Sequence, residues 1–211
     1  DFKNINMSEQ KTKIVLATGN LGKAREFHAL LDPLGYEIVM QSELGISSPE
    51  ENGKSFIENA LIKARHAAEE SSLMAIADDS GLCVDALGGE PGIFSARYAG
   101  EHGDDKANNK KLLQQMAKLK NEQRRARYWC ALALVRSGND PVPIIVQESW
   151  EGYIGFEEKG AGGFGYDPLF VVEGRNLTAA QLPPQTKNLM SHRAKALQKL
   201  VYELNHNKCC R

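Results

Sequence analysis

Two aspartates, Asp78 and Asp79, stand side by side between the apolar run 73–77 and Ser80-Gly81. Adjacent carboxylates repel one another and are costly to bury. A hard cation relieves both penalties, and Mg²⁺ characteristically takes one or two carboxylates and fills its shell with phosphate oxygens. Asp-Asp-Ser-Gly serves equally well as a plain turn. A second stretch with chemical content is Thr18-Gly19-Asn20-Leu21-Gly22-Lys23, between the apolar run 13–17 and a helical pattern over 24–31. The start of a helix offers unpaired N–H groups and the positive end of its dipole to anions. Gly19 and Gly22 permit close backbone approach, and Lys23 adds a full charge. The hexapeptide reads as a phosphate cradle or as a tight strand-to-helix turn. It is neither a P-loop nor a dinucleotide fingerprint.

Three further groups are ambiguous when read alone. Glu50-Glu51 is a second source of carboxylate, although such pairs in loops are usually just solvated. Gly162-Gly163-Phe164-Gly165-Tyr166-Asp167-Pro168 sets two aromatic rings among glycines, where a flat base could stack or the rings could simply cap a core. Ser191-His192-Arg193 has no catalytic meaning alone, and no G-x-S-x-G elbow supports a Ser–His–Asp triad. The basic cluster Lys118, Lys120, Arg124, Arg125 and Arg127 invites a nucleic-acid reading. Glu122 interrupts it and no aromatic adjoins it before Tyr128, so a solvated helix end and loop is the better account.

The elements that must position these residues follow from periodicity. Strands are expected over 13–17, 36–40, 73–77, 82–87, 127–135, 143–150 and 169–172, those at 127–135 and 143–150 as a hairpin. The strongest helix is 55–71, where Ser55 and Glu58 make a capping box and Asn59 and Lys63 share one side. Further helices are expected over 105–118, with an acidic first turn and a basic last turn, and over 187–204. Strands and helices alternate early and the middle looks antiparallel, so the fold class is α/β with a mixed sheet.

The chain has 211 residues, with 26 Lys and Arg against 27 Asp and Glu, a formal net charge of −1. A protein held to nucleic acid by long-range attraction shows a basic excess; here any polyanionic partner must be small and bound locally. The four cysteines, Cys83, Cys130, Cys209 and Cys210, form no C-x-x-C pair. A structural zinc site and a disulfide framework are disfavoured, and a reducing compartment fits best. Cys209-Cys210-Arg211 lacks the form of a prenylation signal. No apolar run approaches the roughly 20 residues of a membrane helix. Residues 1–12 read as a polar N-terminal segment with Met7 as the natural start and 1–6 a remnant ahead of it; 13–205 read as one domain and 206–211 as a tail.

The order of the pieces is more specific than any one of them. After Thr18-Gly19-Asn20-Leu21-Gly22-Lys23 come Glu51-x-Gly53, Phe56-x-Glu58-Asn59-Ala60-x-x-Lys63-Ala64 and Ala77-Asp78-Asp79-Ser80-Gly81-Leu82. Leu87-Gly88-Gly89-x-Pro91-Gly92, Ser95-Ala96-Arg97-Tyr98, Gly163-Phe164-Gly165-Tyr166-Asp167-Pro168 and Ser191-His192-Arg193 follow. In this order the chain resembles the bacterial-type branch of the inosine triphosphate pyrophosphatase family over residues 13–204. The resemblance implies an elongated mixed β-sheet flanked by helices, two lobes with a central active-site cleft, and a cytoplasmic homodimer. It implies Mg²⁺-dependent hydrolysis of ITP, dITP and XTP to the monophosphate and pyrophosphate, which cleanses the nucleotide pool. The partner would then be a small purine nucleoside triphosphate, with neither nucleic acid nor membrane involved.

Carried over by position, the resemblance gives Thr18, Gly19, Asn20 and Lys23 to the triphosphate, with Lys63 reaching it from the long helix. Asp79 would bind metal and help activate water, with Asp78 beside it, and Glu51 would complete the metal site. Ser80 would touch substrate. Phe164, Gly165, Tyr166 and Asp167 would form the base-pocket loop, with Phe164 the stacking ring. Lys187, His192 and Arg193 would read the base edge. Inosine and xanthosine present an acceptor oxygen at the 6-position where adenine presents a donor amine, so donors there would discriminate. Two departures from the family's pattern, Gln181 where glutamate is common and Pro183-Pro184 ahead of Lys187, bear on how Lys187 is placed.

Overall fold

The computed structural model describes residues 11–206. Met7, residues 1–6 and the terminal Cys209-Cys210 lie outside the described residues. Six strands form one sheet in the order β2-β1-β3-β4-β5-β6. They are β1 (Lys13–Leu16), β2 (Glu37–Met40), β3 (Ala75–Val84), β4 (Arg125–Val135), β5 (Ile144–Ile154) and β6 (Phe170–Val172). β2 and β3 lie parallel to β1, while β3 to β6 are antiparallel neighbours. The helices are α1 (Leu21–Leu31), α2 (Phe56–Ser71), α3 (Asp105–Gln115), α4 (Pro184–Met190) and α5 (His192–His206). The expected mixed α/β sheet flanked by helices is what forms.

Alternation along the strands separates the core into three clusters. Ile14, Leu16, Ile76, Leu132 and Leu134 point to one face of the sheet, under Phe27 and Leu31 of α1 and Leu197 and Leu200 of α5. Val15, Ala75, Ala77, Ala133 and Val135 point to the other, against Ala60, Ala64, Ala67 and Ala68. Small side chains on both partners let α2 lie close on the sheet. The third cluster sits at the far end of the long strands, with Leu82, Tyr128, Trp150, Ile154 and Phe170 packed on Leu112 and Met116. β1 meets β3 only at Val15↔Ala75 and Leu16↔Ile76. Beyond Ile76, β3 runs on alone with β4 into the second lobe, and the cleft opens where β1 stops.

Several expectations are corrected. Asp78-Asp79-Ser80-Gly81 is not a turn between two strands: β3 is continuous from Ala75 to Val84, each residue paired with β4 from Ala75↔Val135 to Val84↔Ala126. Ladder pairing overrides the local turn preference. Gly81 is required there because a Cβ would run into the Gly92 carbonyl and the Ser95 hydroxyl. α1 starts at Leu21, three residues early, because the Asn20 side chain caps it. α3 ends at Gln115, so Lys118 lies beyond it and its last turn holds no basic residue. β5 extends to Ile154 to meet β6. The helix expected over 187–204 is two helices broken at Ser191, whose extended backbone (ψ 161°) and hydroxyl cap α5 by accepting from Ala194 N–H at 3.2 Å.

The basic cluster is likewise not a solvated face at its centre. Arg124 is 2% exposed. It donates to the carbonyls of Ile154 (2.7 Å), Gly155 (2.7 Å), Met116 (2.9 Å) and Leu119 (3.2 Å). Arg125 and Arg127 pair with Glu173, Glu151 and Asp85. Little free charge remains for a polyanion. Arg124 fastens the β4–β5 end to the segment after α3. Arg124→Met should therefore lower unfolding stability by about 2–4 kcal/mol by stranding buried carbonyls; urea melts of both proteins check this.

Candidate active site

Because side chains alternate along a strand, the adjacent carboxylates of β3 point to opposite faces. Asp78 goes to the face of α1 and α5. Lys23 Nζ lies 3.0 Å from it, Arg193 Nη2 donates at 3.0 Å and Nε at 3.2 Å, and the Ser80 hydroxyl donates at 3.0 Å. Burial would push this carboxyl up, but Lys23, Arg193 and Lys63 outweigh it and hold it far below the usual carboxylate range. Asp79 goes to the α2 face. Lys63 Nζ lies 3.6 Å from Asp79 and 3.1 Å from Glu51, so the lysine sits between two carboxylates. Burial, with Glu51 and Asp78 adding to it, pushes the Asp79 carboxyl up against the pull of Lys63 and Lys23. The carboxyls of two neighbours in sequence are thus shifted in opposite directions because they occupy different faces.

The loop at the end of β1 is built around its own side chains. Thr18 Oγ1 accepts from Asn20 N–H at 3.1 Å, and Asn20 Oδ1 accepts from Lys23 N–H at 3.0 Å. Leu21 and Gly22 then lie in a first turn whose N–H groups have no intrahelical acceptor. A Cβ on Gly19 would meet nothing within 4 Å, so the backbone there borders open space. The loop bearing Glu51 is held by Asn59 of α2, whose Oδ1 accepts from Gly53 N–H at 2.8 Å. Gly53 packs so close to Asn59 that a Cβ would sit 2.6 Å from that oxygen. The capping box is only half reciprocal: Ser55 Oγ accepts from Glu58 N–H, while the Glu58 carboxylate takes the N–H of Lys54. Of the paired glutamates, Glu51 faces the cleft; Glu50 is exposed and does not line it.

The loop that carries Phe164 is organised by Asp167. Its carboxylate accepts from Phe164 N–H at 2.9 Å, from Tyr128 O–H at 3.2 Å and from Lys187 Nζ at 2.7 Å. Lys187 also pairs with Glu26 of α1 at 2.9 Å, and Glu26 pairs in turn with Arg193. Burial alone would raise the Glu26 carboxyl; Arg193 and Lys187 more than cancel this and hold it low. His192 lies flat on Tyr128, ring centroids 4.7 Å apart, and its buried Nδ1 has no hydrogen-bond partner among the described residues. Burial, aided by Arg193 and Lys187, pushes its pKa well below the ordinary value and keeps the ring neutral. Tyr166 is buried with its hydroxyl donating to Ser95 O at 2.7 Å, and Gly165 N–H donates to Asp105 at 2.7 Å. The Phe164 ring rests over Gly22, where a Cβ would sit 2.6 Å from it, and 4.8 Å from Lys187 Nζ.

These residues enclose one cleft with two compartments. A cavity of about 630 Å³ is lined by Thr18, Gly19, Asn20, Lys23, Glu51, Lys63 and Asp79. A narrower slot of about 80 Å³ is lined by Tyr128, Gly165, Tyr166, Asp167, Lys187, His192 and Arg193. Asn20, Ser80, Ala96, Asp105 and Phe164 border both. Every site residue expected from the sequence is therefore brought to this cleft, although Lys187 and Arg193 are largely committed to carboxylates. Reading by motif missed Glu26, Asn59, Asp105 and Tyr128. Glu26 carries no local signal: it stands off the apolar stripe of α1 and is drawn into the site by Lys187 and Arg193.

Among the described residues no cluster of three or more His, Cys, Asp or Glu is placed to hold a metal. Glu51 and Asp79 nevertheless make a two-carboxylate set, and Asp79 Oδ2 is buried without a hydrogen-bond partner among the described residues. Such a pair beside an anion loop suits a hard divalent cation that draws its other ligands from water and phosphate.

Comparison with known proteins agrees with the geometry. A sequence model of the Ham1 family matches residues 14–203. The chain is 52% identical over 194 residues to the dITP/XTP pyrophosphatase of Escherichia coli (strain K12), covering 92% of this chain and 98% of that one. It is 52% identical over 198 residues to the dITP/XTP pyrophosphatase of Vibrio cholerae, covering 94% and 99%. A solved structure of a HAM1 protein from Coxiella burnetii superposes with a TM-score of 0.85 at 44% identity, covering 92% of this chain and 98% of that one. With the motifs in order, the sheet and cleft in place and similarity along nearly its whole length, the chain belongs to the Ham1 family.

Proposed function

We propose that this chain hydrolyses deaminated purine nucleoside triphosphates, ITP, dITP and XTP, to the monophosphate and pyrophosphate, and so cleanses the nucleotide pool. The observation that carries this is a single cleft in which an anion loop, a two-carboxylate set with a lysine between, and a ring-lined slot adjoin. The names of the relatives at 52% identity support the substrate class. Lys23 and the first turn of α1 hold phosphate oxygens. Glu51 and Asp79 would hold the divalent cation, Mg²⁺ in this reading, which when bound neutralises phosphate charge. Asp79 takes the proton of the attacking water. Lys63 moves between Glu51, Asp79 and the phosphates as charge develops. Phe164 covers the base while Lys187 and neutral His192 face its edge. A homodimer in the cytoplasm completes the reading and rests on the family resemblance.

With ITP, dITP and XTP against ATP, GTP, dUTP and dTTP in the presence of Mg²⁺, the first three should be converted fastest, releasing pyrophosphate. Release of orthophosphate instead would refute the bond assigned. Chelation by EDTA should stop turnover and added Mg²⁺ restore it. Asp79→Asn should lower kcat by about 10²–10⁴-fold with an unchanged melting temperature. Near-normal kcat in that variant removes Asp79 from the chemistry.

His192 also makes a pH prediction. Its folded pKa is depressed, so the unfolded chain binds the extra proton near pH 6.5. The stabilisation it represents is present above that pH and is lost as pH falls toward the folded value. Between pH 6.5 and 5 the wild type should lose stability more steeply than His192→Phe, the difference approaching about 1.4 kcal/mol per pH unit. Parallel pH–stability curves from urea melts would contradict a neutral buried ring.

A further inference from the structure

The loop that carries Phe164 is rich in glycine, and Gly163 and Gly165, on either side of the ring, have φ of 72° and 62°. A segment with that much freedom when unfolded must be tied down if its ring is to keep one position. Asp167 ties it on one side, through Phe164 N–H. The second tie comes from α3, where Asp105 and Asn109 stand one turn apart on the same side of the helix. Asp105 Oδ2 accepts from Gly165 N–H at 2.7 Å, and Asn109 Nδ2 donates to Gly165 O at 3.1 Å. Both backbone polar groups of one glycine are thus taken by one helix. Asn109 is 3% exposed and lines neither compartment, and its Oδ1 is buried without a hydrogen-bond partner among the described residues. A buried amide with an orphan oxygen is costly, so packing alone does not account for it. The next side of the same helix holds the slot's other wall. Asn108 accepts from Ala99 N–H at 2.7 Å and donates to Ala96 O at 3.2 Å, and Lys111 Nζ donates to Tyr98 O at 2.6 Å. Ser95 and Ala96 line the 80 Å³ slot together with Phe164, Gly165 and Tyr166.

We propose that Asp105 and Asn109 are positioning residues for the purine: α3 braces the two walls of the slot, and its hold on Gly165 fixes the Phe164 ring at the spacing a flat base needs. The inference rests on the function proposed above, in which the purine enters this slot. Asn109 acts without touching the base, through Gly165 alone. Asp105 borders the slot, yet the oxygen it gives to Gly165 N–H is the one that matters here. The support is itself anchored, because Ser95 on the other wall accepts from Leu82 N–H of β3 at 2.9 Å and its carbonyl accepts from the Tyr166 hydroxyl at 2.7 Å. With both walls fastened to one helix, the slot's width is set by α3 rather than by the glycine loop.

The test compares wild type with Asp105→Ala, Asp105→Asn and Asn109→Ala. Calorimetric binding of IMP and, separately, of magnesium pyrophosphate is measured beside ITP kinetics, melting temperature and hydrogen exchange of the amides over 163–166. Asp105→Ala and Asn109→Ala should each weaken IMP binding by at least about fivefold and raise KM for ITP by more than they lower kcat, while pyrophosphate binding stays within about twofold. Exchange at Gly165 should quicken in both. Asp105→Asn keeps an oxygen acceptor and should recover most of the IMP affinity. Unchanged IMP binding in Asn109→Ala overturns the assignment, since a loss confined to Asp105→Ala would mark a direct contact with substrate. Equal losses of IMP and pyrophosphate binding overturn it too, as general damage to the fold. Asp105 is exposed, so its variants keep the fold, and Asp105→Ala against Asp105→Asn judges the brace if Asn109→Ala melts early. A wild type that neither binds IMP nor converts ITP counts against the proposed function instead, and exchange at Gly165 in the variants would still judge α3.

Discussion

An alternating chain of buried charges runs through the cleft: Lys23, Asp78, Arg193, Glu26, Lys187, Asp167. Three are cations and three are anions, so the chain is neutral as a whole. It starts in the first turn of α1 and ends at the loop that carries Phe164, so it ties the two compartments of the cleft together. Burying such groups is costly, and hydrophobic substitutes for a whole network can be as stable. Removing one member is different: it leaves an uncompensated buried charge and costs about 3–5 kcal/mol. Each member is therefore held in one geometry by its neighbours, which is what the proposed function would require of a site that spans a substrate from phosphate to base.

The sheet makes this possible by what it leaves unpaired. Had β1 continued beside β3, Asp78 and Asp79 would lie under a neighbouring strand. Instead β1 ends at Leu16 and the chain turns into α1, so the start of that helix, Lys23 and Glu26 all arrive over the Asp78 face. On the other face α2 approaches on alanines, close enough for Lys63 to reach Asp79 and for Asn59 to fasten the loop bearing Glu51. One strand thus serves two tasks. Its one face anchors the scaffold, and its other face presents a carboxylate with a free oxygen.

The chemistry-bearing residues were legible in sequence because their types are unusual together: glycines with a lysine after a strand, paired aspartates, aromatics among glycines. The position of Asp78 and Asp79 within a strand was not. Asp-Asp-Ser-Gly has turn preferences, and only pairing with all of β4 from Ala126 to Val135 overrides them. Arg124 was misread for a related reason. Its neighbours are exposed and charged, and nothing local shows that four backbone carbonyls converge on it. The break at Ser191 was missed because the apolar period continues across it, while its cause, a hydroxyl capping Ala194, is a single bond. Tyr128 and Glu26 entered the site by long-range contacts that no spacing encodes.

The same charge chain restricts how a base can be read. Arg193 spends Nε, Nη1 and Nη2 on Asp78, Glu26 and Ser80. Lys187 has three donors, of which Asp167 and Glu26 take two. What remains is one N–H that can only donate. Under the proposed function a 6-oxo purine would satisfy it, whereas the amine of adenine would set donor against donor in a buried slot. His192, neutral and free to present either a donor or an acceptor, cannot supply that asymmetry by itself. Rejection by an unpaired buried polar group is far stronger than rejection by shape. Under the proposed function the discriminating atom would be Lys187 Nζ, and the acids around it would strip away the donors that could otherwise tolerate a different base.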